Sequence, residues 1–159
     1  MSWLHRLVRR TACPRTHHKL AFDALDHLQS PQVDGWRELF LNYYEPYLLG
    51  AEAPDVELHD YKNHVLMVRH GYAGGLTSAA QLWYERLVLA LRREYWSDAV
   101  YLAGVLGHYV ADAWMPLHTG YSEEAGRVHR ALEWSVGRCF DELRDSLLQD
   151  QGGYPRLTL

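Results

Sequence analysis

The stretch DAVYLAGVLGHYVADAW, Asp98 to Trp114, decides the fold. Ala99, Val100, Tyr101, Leu102, Ala103, Val105, Leu106, Tyr109, Val110, Ala111 and Ala113 point to every side of a helical wheel. A helix apolar all round is the central helix of its bundle. Ser97 caps it and Pro116 ends it. His108 and Asp112 interrupt it at i, i+4, on one face. An ionised aspartate buried without a partner costs several kcal/mol, so Asp112 must be paired or bound to a metal. His118 follows six residues on, past Met115-Pro116, where proline swings the chain into a new direction.

Outward from this segment the pattern stays helical. Thr16 opens a helix with His17, Ala21, Ala24, Leu25 and Leu28 on one face, closed by Pro31. A second helix covers Gly35 to Leu49 and stops at a break, Gly50-Ala51-Glu52-Ala53-Pro54-Asp55. Residues 56–70 read as a short helix, and Gly71, Gly74 and Gly75 punctuate. Thr77 or Ser78 caps a helix carrying Trp83, Leu87, Ala90 and Leu91. Ser122 with Glu123 and Glu124 opens the last long helix, and Gly152-Gly153 terminates it. Its stripe of Val128, Leu132, Val136, Phe140, Leu143 and Leu147 is expected to face the core. No strand alternation, internal repeat or low-complexity linker is visible. The expectation is an all-α, single-domain bundle of about five to six helices. Residues 1–15 form an N-terminal segment, 16–151 the domain and 152–159 a tail.

Composition agrees with one core and limits the partners. The chain has 159 residues, 48% of them hydrophobic, enough for one domain and too few for two ordinary ones. A net charge of −4 argues against a stable nucleic-acid partner. The longest apolar run, Ala99 to Gly107, is about half the ~20 residues that a membrane helix needs. Trp3, Leu4, Leu7 and Val8 lie among His5, Arg6, Arg9 and Arg10 without a continuous apolar stretch, so no secretory signal is expected. The chain as given reads as cytoplasmic, and as secreted or periplasmic if a leader precedes it. Cys13 and Cys139 suggest neither a disulfide framework nor a metal site. Histidine is the unusual residue, at ten.

Several of those histidines sit at ligand spacing. His129 and Glu133 repeat the i, i+4 pairing at the border of the last helix's apolar stripe. Two His–carboxylate pairs on separate helices, with His118 between them, supply the imidazole and oxygen ligands that suit zinc. His17 lies on the core face of the first helix, with His18 rotated ~100° away. Asp55, after Pro54, is placed to be an oxygen ligand. His59, His64 and His70 follow it, and periodicity does not choose among them.

The spacing His108-x3-Asp112-x3-Pro116-x-His118, then His129-x3-Glu133, preceded by Gly50-Ala51-x-Ala53-Pro54-Asp55, resembles the zinc-dependent phospholipase C family. The wider superfamily includes the S1/P1 nucleases, and the closing glutamate and the short gap between His118 and His129 are more like the phospholipases. The resemblance covers about residues 16–135. It implies that Asp55, one following histidine, His108 and Asp112 hold a first zinc, and that His118, His129 and Glu133 hold a second. The segment Asp60-Tyr61-Lys62-Asn63-His64-Val65 is most like the family's, which selects His64, ahead of His59 and His70. By the same resemblance Asp112 bridges to a third zinc with His17, a site that an N-terminal Trp completes. Here Met1 and Ser2 precede Trp3, so that contribution needs processing, and two or three zincs are expected. Asp55 is the implied catalytic base, and the implied substrate is a phosphate ester, of which phospholipid is the family's own. Three other readings compete: an S1/P1-like nuclease, an HD-type phosphohydrolase built on His59-Asp60 with His27, and a non-catalytic zinc-binding module.

Overall fold

The computed structural model describes residues 3–120 and 123–150, and what it describes is all-α. In chain order the helices are α1 (Trp3–Thr11), α2 (Thr16–Asp26), α3 (Val33–Asn42), α4 (Tyr44–Val56), α5 (Leu76–Arg92), α6 (Trp96–Trp114), α7 (Pro116–Thr119), α8 (Glu123–Arg138) and α9 (Phe140–Asp150), with two 3-10 turns, Tyr61–His64 and Val68–His70, between α4 and α5. Nine α-helices among the described residues replace the five to six expected.

Each extra helix has a local cause. The N-terminal segment is itself helical and buries His5 and Val8. The helix expected over Gly35–Leu49 divides at Tyr43, whose backbone leaves the helical region at φ −115 and ψ 35. The expected break at Gly50–Asp55 lies inside α4, with Gly50, Ala51, Ala53 and Pro54 all buried. Gly50 and Ala51 serve there as small packing residues. A Cβ on Gly50 would lie 2.0 Å from the Tyr101 carbonyl oxygen of α6. Close packing of two backbones thus overrides the breaking tendency of glycine and proline. The last long helix divides at Cys139 into α8 and α9. The proposed start at Ser122, the stop at Gly152-Gly153 and the tail 152–159 lie outside the described residues.

α6 crosses the middle of the molecule between α4 and α5. Its Val105 and Tyr109 are completely buried with Ala53 of α4 and Ala79 of α5. A second apolar cluster joins Val8, Phe22, Leu25, Tyr47, Leu48 and Val100 across α1, α2, α4 and α6. α6 is not enclosed on all sides, however: Val110 is 47% exposed and Trp114 69%.

The apolar stripe of the last segment does not face the core. Phe140 is buried, while Val128, Leu132, Leu143 and Leu147 are exposed. The inward side of α8 is the line of His129, Glu133 and Gly137, one turn apart. Thr16 Oγ1 donates to the Glu133 carbonyl at 3.3 Å, and Lys19 Nζ to the Gly137 carbonyl at 2.7 Å. A Cβ on Gly137 would meet Thr16 Oγ1 at 2.6 Å. Polar bonds and a close approach to α2, not apolar burial, therefore set the rotation of α8. Among the described residues no helix is long and apolar enough to cross a membrane.

Candidate metal centre

Asp112 is the focus of the site. It is 2% exposed, deep on α6, and histidines from four elements surround its two carboxylate oxygens. Oδ2 lies 2.7 Å from His64 Nδ1 and 3.4 Å from His108 Nε2. Oδ1 lies 3.6 Å from His17 Nε2 and 3.5 Å from His118 Nε2. One carboxylate thus faces two separate pairs of imidazoles, the arrangement a bridging ligand requires.

The local folding explains how each histidine arrives. His108 stands one turn before Asp112, and its Nδ1 donates to the Ala51 carbonyl of α4 at 2.9 Å. That bond fixes the tautomer and leaves the Nε2 lone pair turned to the site. His64 closes the 3-10 turn Tyr61–His64. Asp60 pins this turn, accepting bonds from Tyr109 Oη at 2.7 Å and from Asn63 Nδ2. His17, in the first turn of α2, stacks on His108 with ring centroids 3.8 Å apart. Pro116 starts α7 and turns His118 inward, to 5% exposure. There His118 Nε2 faces His129 Nε2 at 3.0 Å, and Glu133 Oε1 lies 3.4 and 2.9 Å from the two.

Three groups of residues are placed to chelate zinc: His17/His108/Asp112, Asp55/His64/His108 and His118/His129/Glu133, the ligand atoms of each within 4.8 Å of one another. Two features show that the donors fit a metal better than they fit each other. Asp112 Oδ2 is fully buried yet makes no hydrogen bond; its short approach to His64 is not aligned as one. The facing Nε2 atoms of His118 and His129 have room for at most one proton between them, so at least one lone pair has none and points, with a carboxylate, at the same spot. Imidazole and carboxylate oxygen are the donors zinc takes.

Protonation follows the surroundings. Burial foremost, and then His108, hold His17 down to about 3, so its imidazole is neutral at pH 7. Burial also pulls His108 down, but the nearby Asp112 carboxylate outweighs it and raises its pKa. His118 is raised in the same way, Glu133 and Asp112 outweighing burial. Burial would raise Asp112, yet the close imidazoles of His108 and His64 hold it far below the usual carboxylate range. His118, chiefly, holds Glu133 down.

A family model for zinc dependent phospholipase C matches residues 16–153. The chain belongs to that family. Comparisons with curated proteins and with solved structures gave no match. As a family member with three such ligand groups, the chain is a zinc-dependent hydrolase of phosphate esters.

The structure brings together all eight residues singled out in the sequence: His17, Asp55, His64, His108, Asp112, His118, His129 and Glu133. Of the three histidines after Asp55, His64 is buried in the centre while His59 and His70 are exposed. None of the three groups contains His27, His59 or Asp60, so the HD-type reading has no cluster behind it among the described residues. Trp3 is 69% exposed and borders a separate cavity with Asp34 and Arg37, away from the cavity beside His17. Sequence reasoning missed the support around the ligands. His18 is buried against Glu52, at 3.3 Å, and Arg15 holds the same carboxylate at 3.0 Å. The Ala51 carbonyl and the Asp60–Tyr109 bond carry no motif that could have marked them.

Proposed function

We propose that this chain hydrolyses the headgroup phosphodiester of phospholipids. The observation that carries this reading is the cavity of about 640 Å³ over the centre, where His17, Asp55, Asp112 and Glu133 lie beside the apolar Leu20, Met115 and Val136. A floor of metal ligands beside an apolar wall suits an amphiphile, with its phosphate at one and its acyl-glycerol end along the other. In this reading Asp55, His64, His108 and Asp112 would hold one zinc, His118, His129 and Glu133 a second, and His17, sharing Asp112, a third. Zinc bound by such ligands supplies Lewis acidity, holding phosphate oxygens and making a bound water acidic near neutral pH.

The chain's own residues do the rest. Asp55 reaches the site from the last turn of α4, with Oδ1 3.8 Å from His64 Nδ1 and 3.9 Å from His108 Nε2. Its side chain is 43% exposed, toward solvent, which leaves one oxygen to accept a proton from the attacking water. Asp112 and Glu133, both ionised, balance positive charge at the floor. The Ala51 carbonyl and Thr16 keep His108 and the Glu133 turn in register as substrate enters.

The test is zinc content together with a substrate panel: phosphatidylcholine and phosphatidylglycerol in detergent micelles, bis(p-nitrophenyl) phosphate, and single-stranded nucleic acid, each with and without chelator. Release of diacylglycerol and phosphorylated headgroup, abolished by chelator and restored by zinc, is the expected result. Faster cleavage of nucleic acid than of lipid would favour the nuclease branch instead.

A further inference from the structure

The three ligand groups do not offer a metal the same number of donors. His108 Nδ1 is engaged with the Ala51 carbonyl, so the ring keeps one lone pair, on Nε2, and can serve one metal. That Nε2 lies 3.3 Å from His64 Nδ1, 3.4 Å from Asp112 Oδ2 and 3.9 Å from Asp55 Oδ1. Spent on the zinc at Asp55, it is lost to the group that His108 forms with His17 and Asp112. The position at His17 is then left with two donors, His17 Nε2 and Asp112 Oδ1, 3.6 Å apart. Among the described residues no further His, Cys, Asp or Glu belongs to that group.

Trp3 does not complete the pair. α1 is held elsewhere: Arg9 pairs with Asp23 at 3.3 Å, Asp26 at 3.6 Å and Asp141 at 3.4 Å, and His5 stacks on Phe22. The tryptophan that the family resemblance brings to His17 thus borders another cavity, beside Asp34 and Arg37. His17 also lacks the anchor that His108 has. Its Nδ1 is buried without a hydrogen-bond partner among the described residues. A ligating imidazole is normally oriented by such a bond, whose loss costs about 10–100-fold in metal affinity. Zinc takes about four ligands, so the missing donors here come from outside the chain. His17 and Asp112 border the cavity over the centre, beside Asp55 and Glu133. The donors that arrive there with substrate are phosphate oxygens.

We infer that the zinc at His17 and Asp112 is exchangeable and is completed by the substrate: the free enzyme holds it weakly, and a phosphate oxygen that supplies the missing donor makes it tight. This rests on the zinc assignment proposed above, and not on phospholipid as the substrate. Zinc and phosphate are then reciprocal ligands, each raising the affinity for the other by the same factor. The enzyme rests with two zincs, and the free zinc level sets how well it captures a phosphate ester.

Equilibrium dialysis of the full chain tests this, at buffered free zinc too low to precipitate zinc phosphate, with and without inorganic phosphate. Two zincs should bind tightly without phosphate. The third should half-saturate at free zinc lower by about tenfold or more when phosphate is present. Conversely, phosphate affinity read by titration calorimetry should rise by the same factor between zinc levels that fill two positions and three. His17→Phe keeps a ring against His108 and removes the donor. It should retain the two tight zincs and lose both the phosphate-dependent third and the zinc dependence of phosphate binding. His17→Ala carries the same expectation if the larger ring disturbs the fold. Three zincs of similar affinity without phosphate overturn the inference, as does a third zinc that phosphate leaves unchanged. So does a phosphate-dependent zinc that survives in the His17 variants, or a count that stays at two throughout. Hydrolysis of micellar phospholipid is measured alongside. No zinc uptake at all defeats the zinc assignment, and loaded enzyme that leaves phospholipid intact defeats the substrate reading. Two tight zincs and lipid hydrolysis without a phosphate-dependent third defeat this inference alone.

Discussion

Asp112 carries more of the molecule than any other side chain, because two imidazole pairs converge on its two oxygens. Asp112→Asn preserves shape and removes the charge that holds those imidazoles together. Zinc affinity should fall about 100-fold or more, since even changes one shell away from a metal cost 10–100-fold. The metal-free fold should lose about 3–5 kcal/mol, the scale for a buried pair broken on one side. Titration with a zinc-sensitive dye and urea unfolding in chelator measure the two effects; wild-type zinc affinity would remove Asp112 from the centre. His118 and Glu133 act as one unit, their facing atoms 3.4 Å apart and both next to His129. His118→Ala and Glu133→Gln should each empty the same zinc position, so the double variant should lose little beyond the worse single variant. Additive losses in zinc content and turnover would mean that the two serve different metals.

Between elements, the close contact of α4 with α6 sets the distance from Asp55 to His108. A Cβ on Gly104 would lie 2.3 Å from the Tyr47 carbonyl oxygen and 2.8 Å from the Ala51 nitrogen, both backbone atoms of α4. Gly104→Ala must therefore push the helices apart. It should destabilise the fold by about 1–3 kcal/mol, the usual cost of overpacking. It should also weaken the Asp55/His64/His108 site more than the His118/His129/Glu133 site, which α4 does not support. Thermal unfolding and site-resolved zinc titration check this; equal loss at both sites would point to general destabilisation. The same contact explains what was legible in the sequence. Two His–carboxylate pairs are legible because i, i+4 spacing on a helix is a local property, and His108/Asp112 and His129/Glu133 need no partner helix to be seen. Asp55, His64 and the role of His17, by contrast, are reached only through the family resemblance. The break at Gly50–Asp55 was misread because glycine and proline carry one local meaning and another in a tight helix crossing, which depends on a backbone far away in sequence. The rotation of α8 was misread for a related reason. Its apolar stripe predicts an inward face, but Thr16, Lys19 and the Gly137 approach turn the histidine line inward instead.

Across the whole molecule, protons and zinc compete for the same imidazoles, and the direction of each pKa shift fixes the pH dependence. His17 sits at about 3, so it has no proton to give up above mildly acidic pH. His108 and His118 are raised, after burial is outweighed by Asp112 and Glu133, and each must release a proton before it can ligate. Zinc binding should therefore weaken as pH falls through those raised values, by up to about tenfold per pH unit for each proton displaced. Asp112 and Glu133 are lowered, so they stay ionised over that range and add no competition. The metal-free reference moves the other way. A histidine raised by folding contributes stability that is complete below its unfolded value of ~6.5 and lost as pH rises through its folded value. The His108 and His118 ion pairs thus support the metal-free fold most in mild acid, just where zinc binds least. These are the same two protons seen from either side, and they narrow the gap between loaded and metal-free protein as pH falls. At fixed zinc, the zinc-dependent rise in Tm should be largest at about pH 7.5 and small by about pH 5.5, because ligand stabilisation follows the affinity at each pH. Calorimetry with matched zinc and chelator samples measures it directly. A zinc-dependent rise of equal size at both pH values would show that neither His108 nor His118 gives up a proton to the metal.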